Sequence, residues 1–159
     1  MGRLLHRMGR GGCMRIPTGR PGAVARVQSE GGITGAVKFY QMGDGVLVVA
    51  DIAGLPQSSP TGFFAFHIHA GTDCGGMDYA DTGGHFNPSG ALHPVHAGDL
   101  PPLLSVDGQA HMAVLTGRFH LSDVLGRTVV IHENPDDFHT QPAGNAGRKL
   151  ACGVIRPVR

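Results

Sequence analysis

A chain of 159 residues, 41% of them apolar and with a formal charge of +1, has the material for one domain with its own core. Twenty-six glycines and eleven prolines, dispersed among apolar runs, fit a turn-rich β protein rather than a disordered one. No run approaches the ~18 apolar residues of a membrane span, and the absence of Trp disfavours base stacking, so neither a membrane span nor a nucleic-acid partner is expected.

Residues 1–20 show no period and read as a flexible basic leader ahead of a β domain over 21–159. Arg3, Arg7, Arg10, Arg15, Arg20 and Arg26 fall in the first 27 residues, which hold no acid. The remaining 132 residues carry seven basic and twelve acidic side chains, a formal −5. Arg and Gly interrupt the only apolar residues near the start, so no secretory h-region is seen. That favours a cytoplasmic location and leaves an extracytoplasmic one open. Cys13, Cys74 and Cys152 include no C-x-x-C pair, which disfavours a Cys-based zinc site, and their odd number allows at most one internal disulfide.

From Ala23 the texture changes. Ala23–Gln28, Ile33–Tyr40 and Gly45–Ile52 are β-branched-rich runs separated by Glu30-Gly31-Gly32 and Met42-Gly43-Asp44, and Phe64–His69 is a fourth. Residues 70–98 break the rhythm with Gly, Asp, His and Pro, too long for an idle connection. Strand texture returns at Leu103–Val106, Gln109–Leu115 and Arg127–His132. A second polar loop spans 133–148, and Lys149–Ile155 reads as the last strand. The expectation is an all-β sandwich or barrel interrupted by two long functional loops.

Most of the ten histidines lie in or beside those loops. His67 and His69, two apart in a strand, project from one face and aim two imidazoles at one point. Imidazole suits Zn, Cu, Fe and Ni. His85, His93, His96 and Asp99 are four nitrogen or oxygen donors, a complete tetrahedral set for zinc. His132 ends the apolar run Thr128–Ile131 and by itself reads equally well as a core histidine.

The strings FAFHIHAG, GGHFNPSG, HAGDLPPL, GRTVVIHENPDD and GNAGRKLACGVI, in this order between about residues 22 and 156, resemble the copper/zinc superoxide dismutases. The resemblance implies an eight-stranded Greek-key β-barrel. It implies copper held by His67, His69, His85 and His132, and zinc held by His85, His93, His96 and Asp99, with His85 bridging the two ions. It implies that Asp136 links a copper histidine to a zinc histidine, that Cys74 and Cys152 form the internal disulfide, and that Lys149 stands where the family carries an anion-guiding arginine. His85 would also supply a proton to the product. Cys13 matches nothing; a free thiol, or a loose copper-loading tail with His6, Met8 and Met14, are its two readings.

Two departures stand out. Lys149 keeps the arginine's charge but not its planar fork, and Arg148, next in the chain, faces the other way in a strand. His93 and His96 are only three apart, and the second loop holds no Lys or Arg before Arg148. The implied function is dismutation of superoxide to dioxygen and hydrogen peroxide. A copper donor and a homodimer are possible partners. A non-enzymatic copper- and zinc-binding protein on the same scaffold is the alternative.

Overall fold

A computed structural model describes residues 16–159. Most of the basic leader, with His6, Met8, Cys13 and Met14, lies outside the described residues. Eight strands follow: β1 (Ala23–Gln28), β2 (Thr34–Met42), β3 (Gly45–Ala53), β4 (Phe63–His69), β5 (Asp99–Leu104), β6 (Gln109–Thr116), β7 (Thr128–His132) and β8 (Lys149–Pro157). They form one antiparallel sheet in the order β5-β4-β7-β8-β1-β2-β3-β6. The end strands β5 and β6 meet at a tight turn, where Val106 and Gln109 exchange N–H···O bonds of 2.8 and 3.0 Å. The sheet is thereby a nearly closed barrel, with Greek-key crossings between β3 and β4 and between β6 and β7.

Strand alternation builds the core. Ala23, Ala25 and Val27 of β1 are buried, while Arg26 and Gln28 are exposed. Phe39, Phe64, Phe66, Ile68, Leu103, Val129, Ile131 and Ile155 fill one continuous apolar interior. The other face of β4 and β7 is buried too, by the loops over 70–98 and 133–148, and that second buried layer holds the histidines.

β5 corrects one expectation: the strand runs from Asp99 to Leu104, starting four residues and ending two residues earlier than the predicted Leu103–Val106. Pro101-Pro102, which have no N–H to give a ladder, lie inside it. At a sheet end, however, a strand can forgo two N–H donors, and the register against β4 jumps between Phe64 and Phe66 where the prolines lie. Ala65 instead donates to Asn134 O at 2.8 Å, drawing the second loop onto β4. Two short helical segments escaped the sequence reading, Met77–Thr82, a 3₁₀-type stretch kinked at Asp78-Tyr79 where φ is positive, and α1 (Leu121–Val124), both too short to show a period.

Candidate metal centre

The alternation that sends Phe64, Phe66 and Ile68 inward sends His67 and His69 to the opposite face of β4. β7 pairs antiparallel to it, with His67 opposite Val130, and brings His132 to the same layer at its end. The first loop then runs back along β4 as a partial extra strand: His69 and His85 form an isolated bridge, Ala70 donates to Gly84 O and Phe86 donates to Ile68 O, both at 2.8 Å. Ile68 in turn donates to Gly98 O at 2.8 Å, and a side chain at Gly98 would strike the Ile68 carbonyl. Glycine there lets the loop lie flat, which places His85, His93, His96 and Asp99 over the strand.

Donor atoms of His67, His69, His85 and His132 all lie within 4.8 Å of one another, and so do those of His85, His93, His96 and Asp99. In the first group His69 Nδ1 donates to Gly83 O at 2.8 Å and His132 Nδ1 donates to Gly147 O at 3.3 Å. These bonds leave the two Nε2 lone pairs facing each other at 3.2 Å with no proton between them. His67 is turned the other way: its Nε2 donates to Asp136 Oδ2 at 2.7 Å, and its Nδ1 is buried without a partner. His85 Nε2 is likewise buried and unpartnered. Buried polar atoms ordinarily find partners. Four unprotonated nitrogens converging on one point are a cation's donor set, and an all-imidazole set fits copper.

The second group converges as tightly. His85 Nδ1 lies 2.8 Å from Asp99 Oδ1 and 3.3 Å from His96 Nδ1. His93 Nδ1 lies 3.1 Å from Asp99 Oδ2 but outside hydrogen-bonding geometry, and it too is a buried nitrogen without a partner. His96 Nδ1 is 3.3 Å from the same oxygen. Three imidazoles and a carboxylate form a closed tetrahedral set suited to structural zinc. The His85 ring belongs to both groups, turning Nε2 to one and Nδ1 to the other.

Asp136 ties the groups together a second time. Its Oδ2 accepts from His67 Nε2, and its Oδ1 accepts from His93 Nε2 at 2.8 Å and from the Phe138 N–H at 2.7 Å. Burial works to raise its pKa, but these hydrogen bonds outweigh it and hold the carboxyl well below the usual carboxylate range. Asp99 shows the same balance: burial raises it, and the bond to His85 with the charges of His85, His96 and His93 brings it below its ordinary value. Burial lowers the His67 pKa, and pushes His69 down to about 2 and His132 to about 3. Neutral imidazole is the form that binds a metal.

Gly144 is packed against this bridge. Its φ is +65°, and a side chain there would strike Asp136 Oδ1 and His93 Nε2. Gly144→Ala is therefore expected to displace Asp136 and to weaken zinc binding by about 10–100-fold, the usual cost of losing a partner that orients a ligand. Competition with a chromogenic chelator measures this; wild-type affinity in the variant would show that the bridge tolerates displacement.

The other singled-out residues fall around the same layer. Cys74 and Cys152 are joined, with their Cα atoms 5.7 Å apart, fastening the first loop to β8. Lys149 Nζ donates to Thr82 Oγ1 at 2.7 Å and to Tyr79 O and Gly83 O, each at 3.2 Å. Gly83 O is the acceptor that also fixes His69. Arg148 turns away, its Nε donating to Glu133 Oε2 at 2.8 Å on the surface.

The family model described as copper/zinc superoxide dismutase matches residues 33–155. The chain belongs to the copper/zinc superoxide dismutase family. It is 36% identical over 145 residues to "Superoxide dismutase [Cu-Zn] 2" of Aquifex aeolicus, covering 82% of this chain and 83% of that one. It is 35% identical over 144 residues to the Cu-Zn superoxide dismutase of Caulobacter vibrioides, covering 80% of each. Among solved structures, the crystal structure of the clock protein EA4 superposes with a TM-score of 0.76 at 32% identity, covering 91% of this chain and all of that one.

Within this dismutase fold, sequence reasoning missed three residues that brace the histidines. Arg127 donates to Ala70 O at 2.6 Å and lies 5.0 Å over the Phe86 ring, gripping the neighbours of His69 and His85. Arg118 and Gln141 reach the 93–99 loop from elsewhere in the chain. Their partners lie 19 to 57 residues away, and no local motif announces them.

Proposed function

We propose that the protein dismutes superoxide to dioxygen and hydrogen peroxide, with copper held by His67, His69, His85 and His132 and zinc by His85, His93, His96 and Asp99. The observation that supports this reading above all is the His85 ring shared by two converging donor sets, in which His67 Nδ1, His85 Nε2 and His93 Nδ1 are buried and unpartnered. Copper, when bound, supplies the one-electron exchange with superoxide. His67, His69 and His132 set the donor geometry, each held in one tautomer by Asp136, Gly83 or Gly147. His85, with Nδ1 directed to Asp99, has Nε2 as the atom that can hold a proton and hand it to the departing peroxide. His93, His96 and Asp99 keep the loop that carries His85 in place.

Lys149 sits close enough to His69 and His132 for its charge to depress both, after burial and their other near neighbours. It contributes charge rather than a free donor. An ammonium has three N–H groups, and Thr82, Tyr79 and Gly83 supply three acceptors. Lys149→Glu is expected to slow superoxide removal by roughly tenfold or more, and to convert a rate that falls with salt into one that rises with it. Lys149→Arg is expected to be faster than wild type, since a guanidinium has five donors and can spare one for the anion. An unchanged rate and salt profile in Lys149→Glu would remove Lys149 from the mechanism.

The saturated ammonium also favours a second reading, a copper- and zinc-binding protein without useful turnover. Comparing protein loaded with copper and zinc against protein loaded with zinc in both sites tests the first. The proposal expects superoxide loss only in the copper-containing form; equal rates in the two would exclude it.

A further inference from the structure

The backbone of residues 93–99, which carries three of the four zinc-type donors, has no strand partner over most of its length, yet it is held at five of its main-chain polar groups by two side chains. Gln141 accepts the His93 N–H on Oε1 at 2.9 Å and donates Nε2 to the His93 carbonyl at 2.7 Å. Its amide thus pairs with His93 as a neighbouring strand would. Its Nε2 also donates to His139 O at 3.3 Å, which fixes the amide's orientation. From the connection between β6 and α1, the two N–H groups of Arg118 Nη1 are shared among Pro94 O at 2.9 Å, His96 O at 3.2 Å and Asp99 O at 3.3 Å. Every one of these acceptors belongs to a zinc-type residue or to the proline that follows one.

We propose that Arg118 and Gln141 are positioning residues that hold the 93–99 loop in ligand geometry before the metal arrives, so that zinc binds a formed cradle rather than ordering a loop. Only two residues separate His93 from His96, and the bonds the segment makes within itself, Asp99 N–H to His96 O and His96 N–H to Asp99 Oδ2, leave the His93 main chain to Gln141. A charge-assisted hydrogen bond is about twice as strong as a neutral one, and a two-point amide clamp fixes a direction as well as a distance. Neither side chain hydrogen-bonds a copper-type histidine. The consequences of removing them fall on zinc.

The proposal rests on the zinc reading of His85, His93, His96 and Asp99, and the test separates the two. Full-length wild type, Arg118→Ala, Arg118→Lys and Gln141→Met are loaded with zinc, and zinc release to a chromogenic chelator is timed. Gln141→Met keeps the side-chain length and removes both hydrogen bonds. Release is expected to be about tenfold faster in Arg118→Ala and in Gln141→Met. Arg118→Lys should recover part of the loss, and copper affinity and the thermal midpoint of the metal-free protein should stay near wild type. Wild-type release rates in both Arg118→Ala and Gln141→Met overturn the positioning role while leaving the zinc site intact. A metal-free midpoint that falls as far as the zinc-loaded one, with no recovery in Arg118→Lys, also overturns it, because the two residues would then stabilise the fold in general. If wild type itself retains no zinc, the zinc reading fails and takes this proposal with it.

Discussion

His132→Ala is expected to lower superoxide removal by more than about 100-fold while leaving zinc bound, since even outer partners of a metal histidine are worth 10–100-fold. His132 is buried, its Nδ1 is committed to Gly147 O, and its Nε2 faces His69 Nε2 at 3.2 Å. The alanine variant removes one of four nitrogens that no neighbouring side chain can replace. None of His85 Nδ1, His93, His96 or Asp99 contacts the His132 side chain through a hydrogen bond. Metal analysis after loading with both ions should find zinc near one per chain and copper well below it. Full activity, or equal loss of the two metals, would mean that His132 is not a member of the copper set.

The second large effect concerns stability. Replacing Cys74 and Cys152 together by Ser opens a covalent loop whose ends are 78 residues apart. In the chain-entropy account that constraint is worth about 4 kcal/mol, which for a domain of this size is roughly 10 °C in the melting midpoint. The bond also fastens the segment that supplies Tyr79 O, Thr82 Oγ1 and Gly83 O to Lys149, and Gly83 O is what holds His69. Calorimetry of the metal-free double variant should show the lower midpoint, and copper competition should show weaker binding. A midpoint within a degree or two of wild type would show that packing alone holds the first loop to β8.

How far the molecule is legible in its sequence depends on the range of the interaction concerned. β1 runs over the residues whose alternation marks it, and the placing of His67 and His69 on one face follows from strand period alone. The Pro101-Pro102 strand was obscured because it depends on lying at a sheet end, which is a tertiary fact. His85, His93, His96 and Asp99 are close in sequence, so their convergence could be read locally. His132 could not be separated from an ordinary core histidine without the family resemblance, because its partner His69 is 63 residues away. Arg118, Arg127 and Gln141 act on main-chain atoms of distant loops. Nothing in their own neighbourhoods distinguishes them from surface polar residues. The saturation of Lys149 by three acceptors is likewise a property of the folded first loop.

The most direct test of the account is the number of superoxide molecules removed per copper, measured by pulse radiolysis on full-length protein loaded with copper and zinc. Sustained removal of many equivalents per copper, abolished when copper alone is withdrawn and restored when it is returned, is the predicted result. Copper-replete protein that consumes no more than about one equivalent per ion would contradict the enzymatic account and leave a metal-binding member of the family.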